Sequence, residues 1–264
     1  MAEKIEEADV AAAWNRNAAR WSDDIRAGYD LYRDVFTLPA FPAFMPGIAG
    51  REAIDLGCGE GSNTRRLADL GGRMTGIDIS DALIARAREA ERREPKGIRY
   101  ETCSFSRLDP FPDASFDHVV STMALMDGPD FSGAMHEAWR VLRRGGTLCF
   151  SVLHPCFVTP ALRWLRDEEG NYEGMRVGRY FDREPFVERW RFSKRPDPES
   201  IEPFEVPRFP RTLSDHLNAL ADAGFRIARI EEGRPDEAMV RANPWLVRWR
   251  DHAALVLFVL AEKS

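Results

Sequence analysis

The chain has 264 residues, 44% of them hydrophobic, and 37 Lys and Arg against 43 Asp and Glu give a net charge of -6. Such a chain can build a full core, while its acidic balance disfavours nonspecific attraction to nucleic acid. No early segment has the basic start and apolar run of a signal peptide, and the longest apolar stretch, 253–261, is too short to span a bilayer, so a soluble, cytoplasmic enzyme without a membrane partner is the expectation.

Residues 1–50 read as an N-terminal helical cap. It has a helix carrying Trp14, Ala18 and Trp21, then Tyr29, Tyr32 and Phe36, then a Pro-rich approach to the first strand. Trp14 and Trp21 stand one heptad apart, which fits both closure over a substrate and plain packing. Residues 53–56 are a short buried strand, followed by the turn Asp55-Leu56-Gly57-Cys58-Gly59-Glu60-Gly61. Ser62 is placed to cap a helix that runs to Leu70 and stops at Gly71-Gly72. A second strand, 74–77, ends in Asp78, roughly twenty residues past the first glycine, where a carboxylate that binds ribose hydroxyls belongs. The alternative for Asp78 is a cap on the helix that starts near Asp81.

Residues 98–102 alternate like a third strand, and Thr102-Cys103-Ser104-Phe105 follows it. PDASFD makes a turn before a β-branched run from His118, and Asp130 caps a helix whose apolar positions 131, 134, 135, 138, 139 and 142 recur at helical spacing. That helix is expected to stop at Gly145-Gly146, with a strand over 147–153. The alternation of strand and helix predicts a doubly wound parallel α/β sheet, with Gly57, Asp78, Ser104, Thr122 and His154 at the carboxyl ends of its strands.

Together these segments resemble motifs I, II and III of the class I S-adenosylmethionine-dependent methyltransferases, in their type 11, small-molecule branch. Ser62 stands where a dinucleotide turn wants a third glycine or alanine, and Asp55 would repel a pyrophosphate but suits an ammonium and a sulfonium. The resemblance covers about 51–153 and implies S-adenosyl-L-methionine as cofactor. Asp55, Gly57, Cys58 and Gly59 would lie at its methionine portion, Asp78 at the ribose, and Ile79 against the adenine. Thr122 would complete that wall. Many family members carry an acid after the third strand that binds the adenine amino group. Here Ser104 or a backbone carbonyl would replace it, with Phe105 stacking on the base.

Residues 155–211 are too long for an ordinary connection and carry many aromatics and arginines; MRVGRYFD and FVERWRF alternate like strands. This segment reads as an inserted lid or substrate subdomain, and alternatively as a flap for a homodimer or a surface loop. Arg211 reads as solvated, and a helix follows over 215–223. Strands over 225–230 and 253–261 complete a Rossmann-like sheet of seven strands whose last strand is reversed, as the family implies. The core is therefore 51–154 with 212–264.

The expected activity is methyl transfer to an O, N or C atom of a small-molecule acceptor. Alternatives are a tRNA or protein methyltransferase, an NAD-dependent oxidoreductase, and a non-catalytic S-adenosylmethionine-binding module. His154 is the candidate general base, since an imidazole titrates near neutral pH, with Asp127 as the weaker alternative. Trp14, Trp21, Tyr29 and Tyr32 are candidates for the acceptor pocket. Cys58, Cys103, Cys149 and Cys156 lack metal-ligand spacing, so no metal is expected.

Overall fold

Alternation along each strand decides which face of the central sheet its side chains cover. In β1 (Glu52–Leu56) and β4 (Phe116–Thr122), Ile54 and Val119 enter one apolar cluster while Ala53 and Val120 enter the other. The computed structural model describes residues 4–192, 194–196 and 198–264. The first three residues of the expected cap and two of the insert, 193 and 197, lie outside these.

The remaining strands of the sheet are β2 (Arg73–Asp78), β3 (Arg99–Thr102), β5 (Leu142–Leu153), β10 (Arg226–Glu232) and β11 (Val256–Glu262). The seven strands run in the order β10-β11-β5-β4-β1-β2-β3. β11 is antiparallel to both β10 and β5, while β5, β4, β1, β2 and β3 pair in parallel. One face packs on α5 (Phe131–Val141) and α6 (Leu213–Asp222), and the other on α2 (Leu38–Phe44), α3 (Ser62–Asp69) and α4 (Asp81–Arg93). Among the described residues no helix is long and apolar enough to cross a membrane.

Three local expectations need correction. Ser62 does not cap α3: Gly61 holds the cap position with φ +89°, and the Ser62 hydroxyl instead donates to the Glu60 carboxylate. The helix after Asp130 ends at Val141, and β5 begins at Leu142, paired with Phe116. The glycine pair lies within the strand, where Gly145 N–H donates to the Lys263 carbonyl and Lys263 N–H to that of Gly146. Pairing with the last strand thus overrides the helix-stop signal. The Pro-rich approach to β1 is itself helical: a π-helical turn over Tyr32–Thr37 leads into α2, with Pro39 at its start, where no N–H is needed. Burial of Phe41 and Phe44 offsets the bond that Pro42 removes.

The insert forms two antiparallel hairpins. β6 (Arg163–Arg166) pairs with β7 (Tyr172–Arg176), and β8 (Phe186–Trp190) with β9 (Phe204–Arg208). FVERW is strand as its alternation predicts, whereas only the start of MRVGRYFD is. Helix α1 (Glu7–Arg26) ties the second hairpin to the sheet. Asn17 Nδ2 donates to the Glu205 carbonyl at 3.1 Å, and Asn15 Oδ1 accepts from the Ser80 hydroxyl at 2.6 Å at the start of α4. Between β10 and β11, α7 (Glu237–Ala242) and α8 (Val247–Asp251) back the N-terminal cap, and Trp245 stacks edge-on against Tyr32 at 4.6 Å.

Candidate active site

A cavity of about 470 Å³ opens above the carboxyl ends of β1, β2 and β4, roofed by α1 and the β8–β9 hairpin. Its volume falls in the range of small-molecule sites. Gly57, Cys58, Gly59, Asp78, Ile79, Ser104, Phe105, Thr122, Asp127, Trp14, Trp21, Tyr29 and Tyr32 all line it. Asp55 and His154 do not line it.

The glycine turn has specific steric reasons. Gly57 has φ +73°, and a Cβ there would stand 2.4 Å from the Cβ of Ala124, so the turn closes only on glycine. Gly59 has φ +58°, and no atom lies within 4 Å of where a Cβ would stand, which leaves its backbone open to a ligand. Asp78 bridges this turn to the next: its carboxylate accepts from Gly59 N–H and Ser80 N–H, each at 2.9 Å. It is not the cap of α4. That role belongs to Ser80, whose hydroxyl accepts from Leu83 N–H at 3.1 Å. Burial pushes the Asp78 carboxyl up to about 6, against the pull of the backbone bonds.

Asp55 sits beneath the turn. One oxygen accepts from the Thr64 hydroxyl at 2.6 Å, the other is buried with no partner among the described residues, and burial raises the carboxyl to about 7. Its role is to tie β1 to α3 from below, so its charge reaches the cavity only through the turn. The folded state retains a proton that the unfolded chain has released between about pH 4 and pH 7. Stability should therefore decline as pH rises through that window, by about 1.4 kcal/mol for each unit of pKa difference between the folded and unfolded states. Chemical denaturation at pH 5 and pH 8 checks this; Asp55→Asn should flatten the difference, and an equal decline in the variant would exclude Asp55 as its source.

His154 is a correction to the expected base. It is 2% exposed and both ring nitrogens are engaged: Nδ1 accepts from Cys156 N–H at 3.2 Å, so Nε2–H donates to Glu232 at 2.8 Å. Burial lowers its pKa against the pull of Glu232, and the imidazole stays neutral at pH 7. It joins the β5 end to β10 instead of facing the cavity. We expect His154→Ala to cost about 1 to 3 kcal/mol in a thermal or chemical melt, because Cys156 N–H loses its partner, while leaving S-adenosylhomocysteine affinity within about twofold.

Other cavity residues escaped the sequence reading. Arg208 of β9 forms an ion pair with Asp127 and another with Glu188 of β8 at 2.5 Å, placing a cation between two carboxylates on the cavity wall. Burial lowers Arg208 to about 10, still a cation at neutral pH, and raises Glu188. Trp21 meets Trp190 at 5.5 Å and Phe192 at 5.4 Å, and Trp14 at 5.2 Å. Packing and lining of the pocket are therefore one role for these tryptophans. Arg33 contacts Asn63 Oδ1 at 3.3 Å, and Asn63 Nδ2 donates to the Thr122 hydroxyl at 2.7 Å beside the glycine turn. Tyr32 is fixed from behind, its hydroxyl accepting from Arg248. Arg211 is no solvated arginine: its Nη2 donates to the carbonyls of Gly128 at 2.6 Å and Pro129 at 2.9 Å. Alternation in FVERWRF hinted at the strand that carries Glu188, but only its pairing with β9 brings Glu188 and Arg208 together at the wall.

Comparison with known proteins agrees with this geometry. The methyltransferase-domain family profile matches residues 54–150. A crystal structure of an S-adenosylmethionine-dependent methyltransferase from Mesorhizobium loti superposes with a TM-score of 0.69 and 31% identity, over 85% of this chain and 96% of that one. A demethylmenaquinone methyltransferase from Tropheryma whipplei (strain Twist) is 37% identical over 118 residues, 44% of this chain and 48% of the relative. A ubiquinone biosynthesis O-methyltransferase from Methylococcus capsulatus is 35% identical over 107 residues, 40% and 45% of the two chains. The alignment thus spans about half the length of these curated relatives. With the reversed β11 that a dinucleotide dehydrogenase lacks, the glycine turn and the near full-length match to the Mesorhizobium loti protein, the chain belongs to the class I S-adenosylmethionine-dependent methyltransferases.

Proposed function

We propose that this protein transfers a methyl group from S-adenosylmethionine to an oxygen, nitrogen or carbon atom of a small planar acceptor. The observation that carries this reading is the aromatic-walled cavity running from the Gly57–Gly59 turn to the inserted hairpin. The residues present fit the cofactor: an open glycine backbone, a buried carboxylate at Asp78, and the cation of Arg33 near the turn for an amino-acid carboxylate. Two relatives named for quinone biosynthesis agree with an aromatic acceptor.

When bound, the cofactor supplies an electrophilic methyl group on a sulfonium. The protein's part is placement, which can contribute roughly 7 to 11 kcal/mol when reacting atoms are held in line. Gly57 and Gly59 would let the methionine portion approach, Asp78 would hold the ribose hydroxyls, and Ile79 and Phe105 would hold the base. On the acceptor side Trp14, Trp21, Tyr29 and Trp190 clamp a flat ring and exclude water. Asp127, Arg208 and Glu188 present polar atoms to its substituents. With His154 turned away, Asp127 and Glu188 are carboxylates on this wall that can take a proton from an acceptor hydroxyl or amine, and Arg208 can orient its oxygen substituents.

Calorimetric titration tests the reading. Micromolar or tighter binding of S-adenosylhomocysteine with no response to NAD is expected; the reverse pattern would sink it.

A further inference from the structure

A base held beyond Asp78 reaches the end of the next strand, β3, and the turn Cys103-Ser104-Phe105 that follows. That turn offers no carboxylate of its own. One nevertheless stands there, brought by helix α1: Glu7 lines the same cavity as Asp78 and Phe105. Its Oε1 accepts the Ser104 hydroxyl at 2.6 Å and the Ser106 hydroxyl as well. Ser104 has thereby spent its proton on Glu7, and its oxygen also accepts from Ser106 N–H at 3.2 Å. Among the described residues, Oε2 of Glu7 meets only the exposed Arg107, at a loose 3.4 Å. An ionised carboxylate has about four acceptor positions, so Glu7 retains capacity toward the cavity.

Resting on the cofactor reading above, we propose that Glu7 is the acceptor for the adenine amino group, with Ser104 and Ser106 as the residues that position its carboxylate. Burial works against the charge of Glu7, but the two serine hydroxyls and Arg107 outweigh it and hold the carboxyl below its usual range, so the acceptor is ionised at neutral pH. The serine turn steadies an acid that comes from almost a hundred residues earlier in the chain. Because α1 also carries Asn17 against the β8–β9 hairpin, the helix that recognises the base is the helix that roofs the acceptor side.

The test uses two probes that differ at one position of the base. S-adenosylhomocysteine carries a 6-amino donor, and S-inosylhomocysteine a 6-oxo acceptor. The wild-type chain should bind the first more tightly by calorimetry, since a 6-oxo group facing a carboxylate leaves two acceptors opposed. In Glu7→Gln the affinity for S-adenosylhomocysteine should fall roughly tenfold while that for S-inosylhomocysteine holds or rises, because the amide can donate to the oxo group. Glu7→Asp, which keeps the charge on a shorter arm, should lose affinity yet retain the wild-type preference for the amino base. An unchanged ratio of the two affinities in Glu7→Gln overturns the assignment, and so does an equal loss for both ligands, which would mark Glu7 as an anchor of α1 alone. A wild-type chain that binds neither ligand would instead overturn the cofactor reading on which the assignment rests.

Discussion

Asp78→Ala should lower S-adenosylhomocysteine affinity at least tenfold and up to about a hundredfold. On the proposed cofactor reading the carboxylate accepts the ribose hydroxyls, and hydrogen bonds to a charged partner contribute about 1.5 to 3 kcal/mol each. The loss has a second source, because the same carboxylate holds Gly59 N–H and Ser80 N–H at 2.9 Å and so fixes the turn before any ligand arrives. A pH profile separates the two. Burial raises Asp78 to about 6, above the ordinary carboxylate value, and the ribose donors favour its ionised form. Wild-type affinity should therefore be level above about pH 7 and fall as the pH drops below about 6. In Asp78→Asn, which keeps an acceptor oxygen but cannot ionise there, that acid limb should vanish. Calorimetric titration between pH 5 and pH 8 measures both, and full affinity in Asp78→Ala would refute the ribose role.

Arg208→Ala should cost about 3 to 5 kcal/mol of folding stability, the range seen when one partner of a buried ion pair is removed. Arg208 and Asp127 have side chains 15% and 10% exposed, and Glu188 shares the same guanidinium. Without Arg208, the Asp127 and Glu188 carboxylates lose the guanidinium they share. If that charge imbalance is the cause, adding Asp127→Asn to Arg208→Ala should recover part of the stability in a urea melt, whereas independent contributions would simply add. A double variant no more stable than Arg208→Ala would point to lost packing of the arginine stem instead. Acceptor turnover should fall in the single variant even below its melting temperature, since the β8–β9 hairpin loses its tie to the loop after β4.

The sheet and the cofactor half of the site were legible in the order of the amino acids. Alternation and turn chemistry placed most of the strands from 53 to 153 to within a few residues, and the spacing from Gly57 to Asp78 placed a carboxylate against the glycine turn, because backbone geometry fixes such distances locally. The resemblance to the methyltransferases then supplied the reversed strand, which β11 forms. Single residues whose role depends on direction were less legible. His154 lies at the right strand end, but its ring turns toward Glu232, a partner 78 positions away. Asp55 stands in the motif, yet points to Thr64 under the turn.

The far wall of the cavity and the surroundings of Ser104 emerged instead from how the N-terminal segment and residues 155–211 pack over the sheet. Glu188 and Arg208 become neighbours through hairpin register, and Asp127 joins them from a different loop. Glu7 reaches Ser104 from the far end of the chain because α1 packs across the mouth of the sheet. Phe105, Ser104 and the tryptophans of α1 could be named in advance as cavity residues, but what each holds could not. Charge pairs and cavity walls form between segments distant in sequence, and no local periodicity records which segments will meet.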